Sequence, residues 1–298
     1  MRKANIVGVD GSESALNAVR WAAADAALHR VPLRLISVGA ESLPDKARAA
    51  EESARRRWLA VAAQQVDEVA PGVETTSELR RGAPHAVLVE ESAQGRRVIV
   101  GIRGLGEGGG MMVGSTAETV AMHAECPVVV VRAHDVEPAD PGPILVGVDG
   151  SRVGEAAVAA AFEEASVRHA PLVAVHVWMD VEVEPWLARD DDQDWESIDE
   201  TERAVLAERL AGWREKYPDV EVHRVVERDR PVRYLVEHGR QAQLIVVGSR
   251  GRGGMTGMLL GSTSRALLHM APCPVLIARS AVDPARPAVN HVDHDPAD

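Results

Sequence analysis

The stretch Val7-Gly8-Val9-Asp10-Gly11-Ser12 returns, residue for residue, as Val146-Gly147-Val148-Asp149-Gly150-Ser151. A second phrase repeats as well, because residues 100–104, Val-Gly-Ile-Arg-Gly, are matched by 247–251, Val-Gly-Ser-Arg-Gly. Each half then closes on Cys-Pro-Val. A repeat of this length indicates two complete domains rather than a solenoid of small units, so the chain is a tandem duplication.

Strand and helix signals alternate five times in each half. Apolar runs predict buried strands, and the segments between them space their apolar residues as helices do. Ser12 follows the first predicted strand and is placed to cap the first helix. The alternation predicts, in each half, a parallel sheet with helices on both faces and right-handed crossovers. The predicted strands cover residues 4–10, 33–38, 73–79, 97–101 and 127–132, and then 144–149, 172–177, 220–226, 244–248 and 274–278.

Proline content and the register of the repeat divide the chain. We predict domains at residues 1–135 and 142–280, joined by a proline-rich linker, and a disordered tail at 281–298. The offset between the halves is 139 residues at the first repeated phrase and 147 at the second, so the second half has gained eight residues in between. The acidic stretch 180–202 is the candidate insertion. We interpret it as a solvated loop that enters a helix, with a partner-binding or gating segment as the alternative.

Composition limits the classes of function. The chain has 298 residues, a hydrophobic fraction of 46% and a net charge of −12, and this charge opposes binding to nucleic-acid backbones or anionic lipid. No apolar run approaches the ~20 residues of a membrane helix and no signal peptide is recognised, so we expect a cytoplasmic protein. Cys126 and Cys273 precede prolines at strand entries, and we expect buried structural thiols rather than reactive ones.

Two glycine loops of matched spacing are predicted to bind phosphate. Each reads Gly-x-x-Gly, then nine residues, then Gly-Ser-Thr. The loop leaves the carboxyl end of the fourth strand, where open α/β sheets bind ligands, and enters a helix whose first N–H groups attract an anion. A flexible connection without a ligand is the alternative, and the matched second copy argues against it. The loop residues are Gly101, Gly104, Gly114, Ser115 and Thr116, and Gly248, Gly251, Gly261, Ser262 and Thr263.

Positive charge is concentrated at these loops. Arg103 and Arg250 occupy matching positions, while Arg252, next to Gly253, adds a second positive charge to the C-terminal loop alone. The first loop has Leu105 at the matching position and Glu107 two residues later. We therefore expect the C-terminal site to bind an anion more tightly, by about 1 kcal/mol because exposed charges act weakly. Neither loop ends in the Gly-Lys-Ser/Thr of a P-loop, and neither follows the first strand as the dinucleotide fingerprint does.

The repeated Val-Gly-Val-Asp-Gly-Ser at a first strand, with Gly-x2-Gly-x9-Gly-Ser ahead of the last helix, resembles the universal stress protein family. The resemblance covers both halves and leaves out only the linker and the tail. It implies a tandem member of the ATP-binding branch with an adenine-nucleotide alpha-hydrolase-like fold, in which each open, parallel, five-stranded sheet has the order 3-2-1-4-5. It also implies ATP as the ligand, with Mg²⁺ left open as a companion ion.

The resemblance assigns nucleotide contacts by position, between the end of the first strand and the glycine loop. Departures from the family's usual pattern at Ile102, Leu105 and Glu107 weaken the match of the first loop. The residues alone leave a second role open for the two aspartates, since Asp-Gly-Ser also suits a turn and a helix cap. The predicted nucleotide-binding residues include the ten loop residues named above. The others are Gly8, Asp10, Ser12, Val38 and Arg103 in the first half, and Gly147, Asp149, Ser151, Val177, Arg250, Arg252 and Gly253 in the second.

The residues favour a regulator over an enzyme. ATP hydrolysis needs a positioned base or a well-held metal, and no such group is evident near either loop. The eleven histidines show no repeated pairing between the halves. We therefore expect a non-catalytic ATP-binding regulator in stress response or growth control, and we identify no metal ligands. The alternatives are a slow ATPase of the same fold and a dimerisation module with degenerate sites.

The expected assembly follows from the resemblance. Family members commonly pair through the last strand of the sheet, here residues 127–132 and 274–278. The two halves are therefore expected to form an intrachain pseudo-dimer, and two chains a homodimer. Neither a protein partner nor a stress signal can be named from the residues.

Overall fold

The computed structural model describes residues 2–104, 113–132, 142–151, 154–177, 195–228, 230–251 and 259–279. The predicted tail, most of the linker, Arg252, Gly253 and most of the acidic stretch 180–202 lie outside the described residues. No helix in the described part of the chain is long and apolar enough to cross a membrane.

Strands and helices alternate in both halves as the sequence predicts. In the first half the described elements are β1 (Asn5–Gly8), α1 (Glu13–His29), β2 (Leu33–Gly39), α2 (Asp45–Val69), β3 (Thr75–Arg81), α3 (Pro84–Ser92), β4 (Arg97–Gly101), α4 (Ser115–His123) and β5 (Val128–Val131). In the second half they are β6 (Ile144–Gly147), α5 (Glu155–Arg168), β7 (Leu172–Val177), α6 (Trp195–Lys216), β8 (Val222–Glu227), α7 (Pro231–Gly239), β9 (Leu244–Gly248), α8 (Ser262–Met270) and β10 (Val275–Ala278).

The described strands form one continuous sheet in the order β3-β2-β1-β4-β5-β10-β9-β6-β7-β8. Within each half the strands are parallel and follow the order 3-2-1-4-5, so the predicted fold class is confirmed. The last strands of the two halves pair antiparallel, with Val130 opposite Val275 and Val128 opposite Ile277. The expected pairing of the halves within one chain is therefore present, and it joins two sheets into one of ten strands.

Two apolar layers cover the two faces of the sheet. One lies under α1, α2, α5 and α6 and includes the fully buried Ala22 and Phe162. The other lies under α3, α4, α7 and α8 and includes both cysteines. Cys126 and Cys273 are buried and free, and burial raises the pKa of their thiols to about 11 and about 12. These thiols stay protonated at neutral pH, which agrees with the expected structural role.

Strand register locates the extra residues of the second half. Leu33 of β2 pairs with Thr75 of β3, and Leu172 of β7 pairs with Val222 of β8. The offset between the halves is thus 139 at β2 and already 147 at β3. The insertion therefore lies between β7 and β8, the interval that contains the acidic stretch 180–202.

Charged side chains are buried where the C-terminal ends of α1 and α5 meet. Arg97 of β4 donates to Asp25 at 3.0 Å and to Glu164 at 2.6 Å. Arg168 donates to the same two carboxylates at 2.8 and 2.9 Å, and His29 Nε2 lies 3.1 Å from Glu164. We call these five residues the interface ion cluster. Three of them come from the first half and two from the second, so the cluster ties the halves together.

Neighbouring charges keep Glu164 of the interface ion cluster ionised. Burial raises the pKa of Glu164, but the Arg97 charge, the hydrogen bond from His29 and the Arg168 charge outweigh it. The pKa of Glu164 therefore lies well below its ordinary value of 4.5. For His29, burial acts in the other direction and lowers the pKa. Hydrogen bonds to Glu163 and Glu164 outweigh burial and raise the pKa of His29 above the ordinary 6.5. Sequence analysis assigned no role to these residues.

Candidate functional site

A cavity of about 440 Å³ opens at the carboxyl ends of β1 and β4 in the first half. It brings the two repeated phrases of this half together, although they are about 90 residues apart in the sequence. The predicted site residues that line it are Gly8, Asp10, Val38, Gly101, Arg103, Gly104, Gly114, Ser115 and Thr116. Ser12 is not in its wall but supports Asp10 from the turn behind it.

The turn between β1 and α1 is organised by Asp10. Its Oδ1 accepts from Ser12 N at 2.9 Å and from Ser12 Oγ at 2.7 Å. Ser12 Oγ in turn accepts from Ala15 N at 3.1 Å and caps α1. The turn and cap roles left open by the sequence are therefore real, and they fix the Asp10 carboxylate at the cavity wall.

Glycines allow the loop after β4 to lie directly against α1. A Cβ at Gly101 would stand 2.4 Å from the carbonyl oxygen of Ser14, and a Cβ at Gly104 would stand 2.7 Å from Asp10 Oδ2. Arg103 N donates to Ser14 Oγ at 3.2 Å, which ties the loop to the first turn of the helix. These glycines are needed for close approach, and that approach places the loop beside Asp10.

The N-terminus of α4 closes the same cavity. Gly114 is its N-cap residue, and Gly114 N donates to Ile102 O at 2.8 Å. No described side chain makes a capping hydrogen bond to this helix. Because the first N–H groups of a helix lack intrahelical acceptors, the positive end of the α4 dipole at Ser115 and Thr116 faces the cavity.

Opposite the loop, α2 contributes a wall that sequence analysis missed. Arg55 and Trp58 line the cavity, and the Arg55 guanidinium lies 5.4 Å from the centroid of the Trp58 ring. Arg55 donates to Ser37 Oγ at 3.3 Å and to Glu51 at 3.0 Å. No repeated motif marks these two residues, and only their i, i+3 spacing places both on one side of the helix.

Two arginines that line the cavity each have a buried nitrogen atom without a partner among the described residues. Arg55 Nε and Arg103 Nε have no hydrogen-bond acceptor among the described residues. Buried polar atoms are usually paired in proteins, so such atoms around a cavity indicate a place for acceptors of a ligand. Apolar side chains also line the wall, among them Ile36, Val38, Leu88 and Val100. The site therefore combines an anion-attracting end with an apolar end.

The second half repeats the turn and the glycine loop. Asp149 Oδ1 accepts from Ser151 N at 2.9 Å and from Ser151 Oγ at 2.8 Å. A Cβ at Gly251 would lie 2.8 Å from Asp149 Oδ2, and Gly261 N donates to Ser249 O at 2.7 Å. The other predicted residues occupy equivalent places: Gly147, Val177 and Gly248 end strands β6, β7 and β9, Arg250 follows β9, and Ser262 and Thr263 begin α8.

The wall from the long helix differs between the halves. His176 of β7 replaces Ser37, and its Nε2 lies 2.7 Å from Glu202 of α6, the counterpart of Arg55. The other ring nitrogen, Nδ1, lies 2.6 Å from Val148 O. Val205 stands in the place of Trp58. The second half thus carries an acid and an aliphatic residue where the first carries an arginine and an aromatic ring.

One group of residues has the composition of a metal site but lies elsewhere. Asp25, His29 and Glu164 could offer ligand atoms within 4.8 Å of one another. Arg97 and Arg168 already donate to both carboxylates, so the positive charge there is supplied by guanidinium groups. The histidine belongs to the interface ion cluster, away from both glycine loops.

Comparison with known proteins agrees with the fold and the repeated motifs. The sequence profile of the Universal stress protein family matches residues 1–132 and again residues 142–279. The chain therefore belongs to the universal stress protein family, in a tandem form with two family domains.

Relatives of similar length support this assignment. A universal stress protein of Mycolicibacterium smegmatis is 43% identical over 291 residues, which are 92% of this chain and 96% of that protein. One of Mycobacterium tuberculosis is 40% identical over 290 residues, or 93% and 96% of the two chains. A solved universal stress protein from Archaeoglobus fulgidus has a TM-score of 0.68 at 22% identity, covers 93% of this chain and 98% of its own, and supports the fold alone.

Proposed function

We propose that this protein is a non-catalytic ATP-binding regulator in stress response or growth control, with one nucleotide site in each half. The observation that carries the proposal is the cavity of the first half, which joins the Asp10 turn, the glycine loop and the N-terminus of α4. Its volume of about 440 Å³ lies in the usual range of small-molecule sites. Membership of the family supports the part of the proposal that concerns stress response.

The loop end of the cavity suits the phosphates. The α4 N-terminus supplies backbone N–H groups with the helix dipole behind them, and Arg103 supplies a guanidinium. Gly101 and Gly104 leave space that a Cβ would fill. A magnesium ion accompanying ATP would neutralise phosphate charge and prefers oxygen ligands, and Asp10 is the carboxylate among the described lining residues.

The opposite end of the cavity suits the base. Ile36, Val38, Leu88 and Val100 offer an apolar surface at the ends of the central strands and on α3. A flat heteroaromatic ring buries apolar area there while its phosphates reach the loop. An adenine nucleotide therefore matches the polarity of the cavity from one end to the other.

Retention of ATP without turnover is proposed from the groups in the cavity wall. None of the described lining residues is a histidine, and Asp10 Oδ1 already accepts two hydrogen bonds from Ser12. A general base must hold a free lone pair within reach of the attacking water. We infer that bound nucleotide acts as a signal, which changes homodimer formation or affinity for a protein partner.

The test is to denature freshly purified protein and quantify the nucleotide that is released. About two ATP per chain support two working sites, and about one supports a single dominant site. Turnover of added ATP near 1 per second or faster would contradict a non-catalytic role. Absence of nucleotide, together with no thermal stabilisation by added ATP, would contradict ATP binding and favour a dimerisation module with degenerate sites.

A slow ATPase is the second candidate, because Asp10 places a carboxylate in the cavity wall. It predicts ADP rather than ATP in the purified protein. It also predicts that Asp10→Ala retains nucleotide and loses turnover. Equal, negligible turnover by the wild type and this variant would remove the candidate.

A further inference from the structure

We propose that the two sites recognise different parts of the nucleotide: Arg55 and Trp58 of α2 make the N-terminal site selective for the base, whereas the C-terminal site depends mainly on the phosphates. This inference rests on the proposed ATP binding and goes beyond it, because it assigns residues outside the repeated motifs. It concerns one ligand class, nucleoside polyphosphates, and the difference between such a ligand and a bare polyphosphate chain.

The shape of the cavity fixes which end of a nucleotide meets α2. The glycine loop and the α4 N-terminus attract the phosphates, so the base points away from them. Arg55 lies at the end of β2, because it donates to Ser37 Oγ and because a Cβ at Gly39 would stand 3.2 Å from its Nε. Because β1 lies between β2 and β4 in the sheet, Arg55 is on the side of the cavity away from the glycine loop, and Trp58 lies over the β1–α1 turn between them.

Trp58 supplies the aromatic surface of this wall. Its indole ring lies over the β1–α1 turn, where a Cβ at Gly11 would come within 2.5 Å of the ring. The ring is half-buried and lines the cavity, which leaves part of its surface for a ligand. Stacking of a base on an aromatic side chain strengthens binding roughly tenfold, and this gain is absent for a ligand without a base.

Arg55 supplies a donor at the same place. Two of its nitrogens are used by Ser37 and Glu51, while Nε is buried without an acceptor among the described residues. A base or ribose offers acceptor atoms to such a donor. The guanidinium also lies 5.4 Å from the Trp58 ring centroid, a distance that favours cation–π contact and holds both side chains in place.

The C-terminal half lacks both features. Glu202 and Val205 occupy the corresponding positions on α6, and the correspondence is supported by Leu59 and Leu206, which are both buried one position further along. Val205 has no aromatic surface, and Glu202 faces His176. The positive residues of this half are Arg250 after β9, which matches Arg103, and Arg230 at the N-cap of α7, where the first half has Ala83. We therefore expect the C-terminal site to bind its ligand mainly through the charge of the phosphates.

The experiment compares two single-site proteins. Arg250→Glu removes anion binding from the C-terminal site, and Arg103→Glu is the matched change in the N-terminal site. Calorimetric titration of each full-length variant with MgATP and with inorganic tripolyphosphate gives a ratio of affinities. We expect this ratio to favour ATP at least roughly tenfold more in Arg250→Glu, the protein that keeps the N-terminal site.

Substitution of Trp58 then tests the assigned residue. In the Arg250→Glu protein, Trp58→Val, which installs the residue found at position 205, should lower the ATP affinity roughly tenfold and leave tripolyphosphate binding unchanged. Trp58→Phe should restore the ATP preference because it restores an aromatic ring. Retained ATP binding by the C-terminal site of a Trp58→Val single variant checks that the chain is folded.

The outcomes separate this inference from the proposed function. Equal ratios in the two single-site proteins, or an ATP preference unaffected by Trp58→Val, would overturn the inference while ATP binding stands. Wild-type protein that binds neither ligand would overturn both. If Trp58→Val does not fold, the inference is tested by the comparison of Arg250→Glu with Arg103→Glu alone, because neither of these proteins changes α2.

Discussion

The two halves share a backbone arrangement and differ in the side chains around it. Ser12 N and Ser151 N each donate to the preceding aspartate at 2.9 Å, and in both halves a glycine lies against the second aspartate oxygen. At the positions of Arg55 and Trp58, however, the second half has Glu202 and Val205. The duplication has therefore kept the contacts that bring the turn to the loop, while the wall from the long helix has diverged.

The interface ion cluster shows the same divergence at the junction of the halves. Asp25 and His29 of α1 correspond to Glu164 and Arg168 of α5, at an offset of 139 residues. One half therefore contributes a titratable histidine where the other contributes a permanent cation. Arg97, the shared donor, corresponds to Leu244, so the first half alone supplies the strand residue of the cluster.

The largest effect is expected from Glu164→Ala. This change leaves Arg97 and Arg168 buried with too little negative charge, which should lower the free energy of unfolding by about 3–5 kcal/mol. Urea unfolding measures it. Glu163→Ala is the matched control, because the Glu163 side chain is 46% exposed and its removal should cost less than that of the fully buried Glu164. Equal losses of unfolding free energy in Glu164→Ala and Glu163→Ala would contradict the view that burial of the carboxylate determines its contribution to stability.

A smaller effect is expected from the strand-end glycines, and it should differ between the halves. Gly101→Ala places a Cβ 2.4 Å from the Ser14 carbonyl oxygen and should cost about 1–3 kcal/mol of unfolding free energy. Gly248→Ala meets its nearest atom, Arg250 O, at 3.0 Å and should cost less. Thermal unfolding of both variants tests the order, and a larger loss at Gly248 would contradict it.

The serines after the aspartates should also differ. Ser12→Ala removes the cap that accepts from Ala15 N in α1, with an expected loss of about 1 kcal/mol. Ser151 Oγ accepts from Gly154 N, which precedes the first residue of α5, so Ser151→Ala should cost less. Chemical unfolding of nucleotide-free protein measures both. Indistinguishable losses would mean that the two turns are energetically equivalent.

The smallest effect is a pH dependence at the junction. Because the folded pKa of His29 is raised, its contribution to stability is fully present below pH 6.5 and is lost as the pH rises through the folded value. The difference in unfolding free energy between wild type and His29→Gln should therefore shrink as the pH rises above 6.5. A difference that stays constant over this range would exclude a charged His29.

The acid side should show the opposite sign. A hydrogen bond from His29 and the charge of Arg96 lower the pKa of Glu163 to about 2. Its contribution is present above pH 4.5 and is lost as the pH falls towards 2. Glu163→Gln should flatten this part of the stability profile, and an unchanged profile would contradict the assignment.

Local patterns and repetition were sufficient to predict the fold. Apolar runs and the Asp-Gly-Ser turns gave the element order, and strand pairing confirms the sheet order implied by the family resemblance. The meeting of Asp10 with Gly101 and Gly104 was implied by the family resemblance, and the structure shows it at one edge of the sheet, where parallel strands end together. Such features depend on short segments whose geometry is determined by a few residues.

The remaining features depend on how distant surfaces pack. Trp58 resembles any apolar residue of an amphipathic helix until α2 is placed against the β1–α1 turn. Asp25 and Glu164 are single acids within helices, and only the junction of the halves buries them beside Arg97. The sequence did contain a signal for the interface ion cluster. Arg97 stands in an otherwise apolar strand, and a buried charge needs a partner.

The antiparallel pair β5–β10 has a consequence for stoichiometry. Separate chains associate only above their dissociation constant, whereas halves on one chain keep a local concentration of roughly millimolar at any dilution. A symmetric dimer of identical chains also copies every substitution into both of its sites. In this fused pair a change at residue 58 or at residue 205 alters one site alone, and the two kinds of site remain in a one-to-one ratio. With a nucleotide bound in each half as proposed, one molecule would compare two ligand levels, which a homodimer of identical single domains would not do.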